Sequence, residues 1–351
     1  MSTTPQNIKG RGAQSNPTNR YSKSNYDAKE IVEEEDINID TKYIDVFPKT
    51  LINKVTSPDI PVAYSMNPYE GCEHGCIYCY ARNTHPYWGY SAGLDFERVI
   101  LVKKNAPDLL RAELNKKNWE PDMIMLSGNT DCYQPIERKL EITRNLLKIL
   151  LEFRHPVGII SKNALVQRDI DILTELHKLR LVSVTISITS AKEELRRKME
   201  PRTATYKKRL ETVEALAKNN IPVYVNIAPI LPAINDIEIF TIAKAASEAG
   251  ALGISHTILR LPGEVEKIFT DWLEKTFPDR KDKVLNQLRD VHGGQIQDSR
   301  WGKRMRGEGN FAESIKQQMQ LARNKFFPEA SQIQIRTDLF INQYNRQQSL
   351  F

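Results

Sequence analysis

From about Tyr64 onward, short apolar runs alternate with longer stretches whose apolar positions recur every three to four residues. The runs are Tyr64–Met66, Met123–Leu126, Val157–Ile160, Leu181–Ile188, Val223–Ala228 and Leu252–Leu259, the fourth and fifth rich in β-branched residues. The last five begin roughly 25 to 40 residues apart, the spacing of βα units. Between them, Ile142, Leu146, Ile149 and Leu150, and again Leu210, Val213, Leu216 and Ala217, fall on one side of a helix. Apolar strands joined by helical crossovers predict a parallel sheet covered by helices. Eight such units close a barrel; six predict an open, partial (βα)6 TIM-like barrel.

The pattern changes at both ends. Residues 1–45 are polar and broken by Pro5, Gly10, Gly12 and Pro17, which predicts a disordered tail. Its first part carries Arg11, Arg20, Lys23 and Lys29, and Glu33–Asp36 then reverse the sign. Residues 46–263 hold the barrel. In residues 264–351 the strand signals stop, and the stretches 264–277, 283–293 and 310–327 read as helices of a C-terminal extension that covers the open part of the barrel. The last twenty residues carry little pattern.

Composition narrows the class. Charged residues make up 27% and hydrophobic residues 40% of the 351, as in an ordinary globular chain, which excludes collagen-like and fully disordered proteins. No apolar run approaches the roughly 18 residues of a membrane span. Residues 1–25 have no apolar core, so no secretory signal is expected. The net charge of +6 is compatible with a nucleic-acid partner without requiring one. Three of the four cysteines crowd together, which excludes a disulfide scaffold and points to a reducing cytoplasm.

Those three are Cys72, Cys76 and Cys79, spaced C-x3-C-x2-C in a loop just after the first expected strand. Parallel α/β folds place their chemistry at such strand ends. Gly71 and Gly75 let the loop wrap closely around a bulky group. Three thiolates suit a soft centre, zinc or iron–sulfur. A structural zinc site asks for four ligands. The fourth here would be His74, His85 or the distant Cys132, none at the usual paired spacing. A [4Fe–4S] cluster on three thiolates leaves one iron open for another ligand, and this is the better reading.

The C-x3-C-x2-C spacing followed by Tyr80 resembles the signature of the radical S-adenosylmethionine (SAM) superfamily. The segments 71–82, 91–97, 127–138 and 298–307, with Thr143–Arg144, resemble the bacterial members related to spore photoproduct lyase, often termed photolyase-like. The resemblance implies that Cys72, Cys76 and Cys79 hold a [4Fe–4S] cluster whose open iron is chelated by SAM. One electron then cleaves SAM to methionine and a 5′-deoxyadenosyl radical, which abstracts a hydrogen atom from a substrate. It further implies an electron donor such as flavodoxin or ferredoxin.

Site residues follow from the same resemblance and, for Ser187, His256, Arg260 and the basic cluster, from strand position and residue type. Gly128 and Asn129, in the turn after the second strand, stand where the superfamily binds the SAM amino group, although its usual Glu is absent. Lys162 is expected at the SAM carboxylate, Ser187 at the ribose and Ala228 beside the adenine. Cys132 is the candidate for returning a hydrogen atom to a substrate radical. His256 and Arg260 near the sixth strand's end are candidate substrate contacts. Arg300, Trp301, Lys303, Arg304 and Arg306 form a basic cluster with one aromatic, a candidate surface for phosphates and bases. The expected reaction is radical chemistry on a nucleic-acid base or lesion. The alternatives are a small molecule or peptide substrate and, more remotely, a non-catalytic metal-binding nucleic-acid module.

Overall fold

The computed structural model describes residues 8, 10–19, 21, 40–329 and 333–344. Its strands are β1 (Lys42–Val46), β2 (Ile52–Lys54), β3 (Tyr64–Met66), β4 (Tyr69–Glu70), β5 (Val99–Lys103), β6 (Ile124–Leu126), β7 (Val157–Ser161), β8 (Val182–Ser187), β9 (Val223–Ile230) and β10 (Ile254–Ile258). The six strands β3, β6, β7, β8, β9 and β10 pair in parallel in that order, and β2 joins β3 antiparallel. The end strands β2 and β10 are not paired with each other, which leaves the partial barrel open. The expected strands are all present. The fifth runs two residues further than its apolar run, through Pro229 to Ile230, and the register opposite it shifts between His256 and Ile258.

The period-two alternation of each strand decides which side is covered. Leu126, Ile159, Val184, Ile186, Val225, Ile227 and Ile258 are buried against helix residues such as Leu110, Leu146, Leu150, Leu173, Leu176, Leu216 and Ile242. Each such side chain contributes about 1.5–3 kcal/mol relative to exposure. The alternating positions Ser183, Thr185, Tyr224, Asn226, Ser255 and Thr257 are only half-buried or exposed. This polar, accessible face is the one a barrel turns inward.

The extension is helical at Val265–Thr276, Lys281–Val291 and Gly309–Phe326. The first two form a second core with Ile77, Tyr78, Leu94, Leu231, Leu259 and Leu261, so they back the cysteine loop. The third buries Ala312, Ile315, Met319 and Ala322 in the main core beside β10. The stretch after it is also tied down: Arg336 N donates to Arg180 O, Ile341 N donates to Phe153 O, and Phe340 is buried.

Two features depart from expectation. A second, three-stranded sheet, β1–β5–β4, flanks the cysteine loop. The expected disordered tail is packed at residues 10–19, where Gly12 and Ala13 are buried because their amides bond the buried Glu97 carboxylate. Residues 22–39 of that expected tail lie outside the described residues.

Candidate metal and cofactor site

The three cysteines follow β4 at the C-terminal end of β3, as the sequence predicts. Gly71 and Gly75 adopt φ of +79° and +66°. A side chain at Gly71 would meet Val99 O at 2.6 Å, and one at Gly75 would meet Glu97 Oε2 at 2.7 Å. Cys72 and Cys76 are buried, Cys79 is half-buried, and all three are free thiols. Burial pushes each thiol up from its ordinary value, so thiolates here require a cation. Beneath them Arg82, fully buried, donates from Nε and Nη2 to Cys76 O at 3.1 and 2.9 Å and from Nη2 to Glu97 Oε1 at 2.5 Å.

Tyr80, next after the third cysteine, is 56% exposed and its hydroxyl donates to Gly128 O. The turn that begins at Ser127 (φ +80°) is thereby joined to the cysteine loop. Asn67 Oδ1 accepts from Asn129 N at 2.9 Å and Thr130 N at 3.3 Å, which fixes the turn from the other side. Asp131 follows. Its carboxylate accepts from Ser161 Oγ at 2.8 Å, Lys162 N at 2.8 Å and Tyr133 N at 2.9 Å, and lies 3.3 Å from His74 Nδ1. Burial would raise its pKa, but His74 and the amides outweigh burial and hold it at about 2. The ends of β6 and β7 are thus clamped to the cysteine loop through a charge that sequence reasoning had not singled out.

Lys162 has its ammonium 6.0 Å above the Tyr78 ring. Burial works against its charge, but Cys76 and Glu200 outweigh burial and raise its pKa. Glu200 is fully buried and binds Tyr78 OH and Arg209 Nη2. Thr189 Oγ1 lies 2.5 Å from Glu200 Oε1, 3.0 Å from Ala228 O and 3.2 Å from Tyr78 OH. Ala228, two residues before the end of β9, is therefore linked to the cysteine loop through Thr189. Ser187 is buried at the end of β8 opposite Asn226, and its carbonyl accepts from Arg209 Nη1 at 2.8 Å. Glu200 and Arg209 were missed in the sequence because charged side chains ordinarily read as surface.

Other candidates sit elsewhere. Cys132 has 0% exposure and belongs to the main apolar core, so the side chain expected to return a hydrogen atom is closed to solvent. Its carbonyl is held by Thr143 Oγ1. His256 is half-buried on β10 where the register shifts, and burial, Arg323 and Arg306 push it down to about 4. The basic cluster is largely neutralised: Arg300 pairs with Asp298 and Glu308, Lys303 with Glu308, and Arg304 with Asp59 while lying over Trp301. Arg260 Nη1 meets only Met305 Sδ, and its Nε has no partner among the described residues.

The donor set fits a cluster better than zinc. His74 is committed to Asp131 and Asn163, His85 is buried edge-on to Phe96, and Cys132 is in the core. Among the described residues no three His, Cys, Asp or Glu side chains gather as a single ion requires.

The model of the Radical SAM superfamily matches residues 66–269. An uncharacterised protein of Mycobacterium tuberculosis is 32% identical over 67% of this chain and 70% of its own length. One from Methanocaldococcus jannaschii is 28% identical over 72% of this chain and 90% of its own. Among solved structures, a spore photoproduct lyase mutant is similar with TM-score 0.58 and 18% identity, covering 82% of this chain and 80% of that one. Spore photoproduct lyase complexed with dinucleoside spore photoproduct gives 0.57 and 17% over the same shares, a likeness of fold. Members of the superfamily use a [4Fe–4S] cluster and SAM. With the family model spanning more than half of its length and every strand end of the site inside that span, the chain belongs to the Radical SAM superfamily.

Proposed function

We propose that this chain is a radical SAM enzyme in which Cys72, Cys76 and Cys79 hold the cluster. When bound, the cluster and SAM supply a 5′-deoxyadenosyl radical. The chain's own residues bind and orient. Tyr80 and the carbonyls of Gly128 and Asn129 receive the SAM ammonium, and the Lys162 ammonium offsets its carboxylate. Ser187 contacts the ribose, and Ala228 lies beside the adenine. The observation that carries this reading is the bond from Tyr80, adjacent to the third cysteine, to Gly128 in the turn after β6. It puts the proposed metal ligands and the proposed SAM turn in one place. A non-catalytic metal module gives no reason for that apposition.

The substrate class carried by the resemblance is a nucleic-acid base or lesion. A small molecule or peptide is the second reading, favoured by the internal pairing of Arg300, Lys303 and Arg304. The reductant is an electron donor such as flavodoxin or ferredoxin, and the compartment is the cytoplasm. Among the described residues no helix is long and apolar enough to cross a membrane.

Anaerobic reconstitution with iron and sulfide tests the reading. The expected result is a brown protein that forms 5′-deoxyadenosine from SAM once dithionite is added. A colourless protein retaining one zinc would overturn it. Deuterium transfer from labelled candidates into 5′-deoxyadenosine then discriminates between the substrate classes.

A further inference from the structure

The segment 10–19 runs beneath the loop that carries all three cysteines, and its contacts are specific. Gly12 N and Ala13 N donate to Glu97 Oε2 and Oε1 at 3.0 and 2.8 Å, and Arg11 Nη1 donates to Glu97 O at 2.8 Å. Further along, Leu94 N donates to Ser15 O at 3.2 Å, and Asn16 exchanges two bonds with Asp95. Ser91 Oγ donates to Pro17 O at 2.7 Å, and Asn19 Nδ2 donates to Pro86 O at 3.0 Å.

The packing is as close as backbone allows. A Cβ at Gly12 would lie 1.8 Å from Gly75 O, and one at Gly93 would lie 2.0 Å from Ser15 O. Only glycine fits at either place. Gly75 itself lies between Cys72 and Cys76.

The segment also completes a buried charge pair. Glu97 and Arg82 are both fully buried. Arg82 spends its donors on Glu97 and on the carbonyls of Cys76, Ala92 and Gly93. Without the amides of Gly12 and Ala13, the Glu97 carboxylate loses two donors and gains an open side. A buried carboxylate left short of donors is unfavourable. The consequence passes through Arg82 to the Cys76 carbonyl.

We propose that residues 10–19 are a clasp that holds the cysteine loop in its ligand-bearing conformation, with Glu97 and Arg82 as positioning residues for Cys76. The clasp orders the loop before metal arrives and slows metal loss afterwards. The second half of that statement rests on the proposed radical SAM function; the first half does not.

The test uses the full chain and Gly12→Val, with a variant lacking residues 1–19 as a check that does not force a side chain against Gly75. In the iron-free proteins, hydrogen exchange is measured across residues 72–82. In reconstituted proteins, iron loss to a chelator and the electron paramagnetic resonance spectrum of the dithionite-reduced protein are followed. The expected result for both variants is exchange faster by roughly tenfold in this loop, with the strands β6 to β9 unchanged. Iron loss is also faster by roughly tenfold and the resonance spectrum is altered. A synthetic peptide of residues 8–21 added to the truncated chain restores slow exchange. Unchanged exchange in the truncated chain overturns the clasp. Faster exchange with unchanged iron loss overturns its role toward the metal. If the parent chain takes up no iron, the proposed function fails, while the exchange measurement still decides whether the clasp orders the loop.

Discussion

The Tyr80 hydroxyl donates to the carbonyl oxygen of Gly128, bridging the residue after the third cysteine to the turn after β6. The phenol is otherwise exposed, so the bond acts on position more than on core stability. Tyr80→Phe keeps the ring and removes the donor. We expect it to retain its iron and its melting temperature. SAM binding should weaken by about 1 kcal/mol, roughly fivefold, the usual worth of one hydrogen bond. Equilibrium dialysis of SAM against the reconstituted variant measures this, and full affinity would detach Tyr80 from the site.

The four cysteines divide into two environments, and substitution should show it. Replacing Cys72, Cys76 or Cys79 by Ala should each abolish iron binding. Cys132→Ala should leave iron content and SAM cleavage unchanged, because Cys132 sits in the main core. Its effect should be lost packing, about 1 kcal/mol or somewhat more for a small buried side chain. Iron assays and urea unfolding of the four variants separate the two classes.

The strand order was legible because a parallel sheet writes itself as apolar runs such as Val182–Ile186 separated by helix-period stretches. The cysteine loop was legible because thiolates at that spacing have few other uses. The groups that hold it together were not. Glu97, Arg82, Glu200 and Arg209 are buried charges, and each looks like a surface residue until its partners, 122 positions away for the Glu200–Tyr78 contact and 85 for Glu97–Gly12, are known. The strand Lys42–Val46 alternates polar and apolar residues and takes its partner, Val99–Lys103, from far along the chain. Its neighbourhood therefore read as tail. Residues 10–19 bury backbone amides more than side chains, which composition does not register.

His155 gives a pH dependence whose sign can be worked out. It is fully buried; its Nε2 accepts from Trp119 Nε1 at 3.1 Å, and its Nδ1 lies 3.0 Å from Pro156 O. Burial lowers its pKa from the ordinary 6.5 to about 4. The folded state therefore holds the ring neutral, and the unfolded state takes up the proton first. The contribution is fully present above pH 6.5 and is lost as pH falls from 6.5 toward 4. The loss is on the order of 3 kcal/mol. His155→Gln, which can still accept from Trp119, should flatten the decline in urea-unfolding stability between pH 7 and pH 4.5. An unchanged slope would assign the decline to other groups.

Nucleic-acid binding, if it is part of the function, should depend on Arg306 more than on Arg304. Arg304 donates to Asp59 Oδ2 at 2.5 Å and to Ser57 Oγ at 2.6 Å, so its charge is already balanced within the chain. Arg306 is exposed and has no acidic partner within ion-pair distance among the described residues. A phosphate that replaces a counterion needs an unbalanced cation. Arg306→Gln should therefore lower the salt-dependence slope of single-stranded DNA binding by about 1. Arg304→Gln should leave the slope nearly unchanged and instead loosen the loop around Trp301. Fluorescence anisotropy across a salt series reads both variants. Absence of binding by the parent chain at low salt would remove the nucleic-acid substrate and leave the small molecule or peptide.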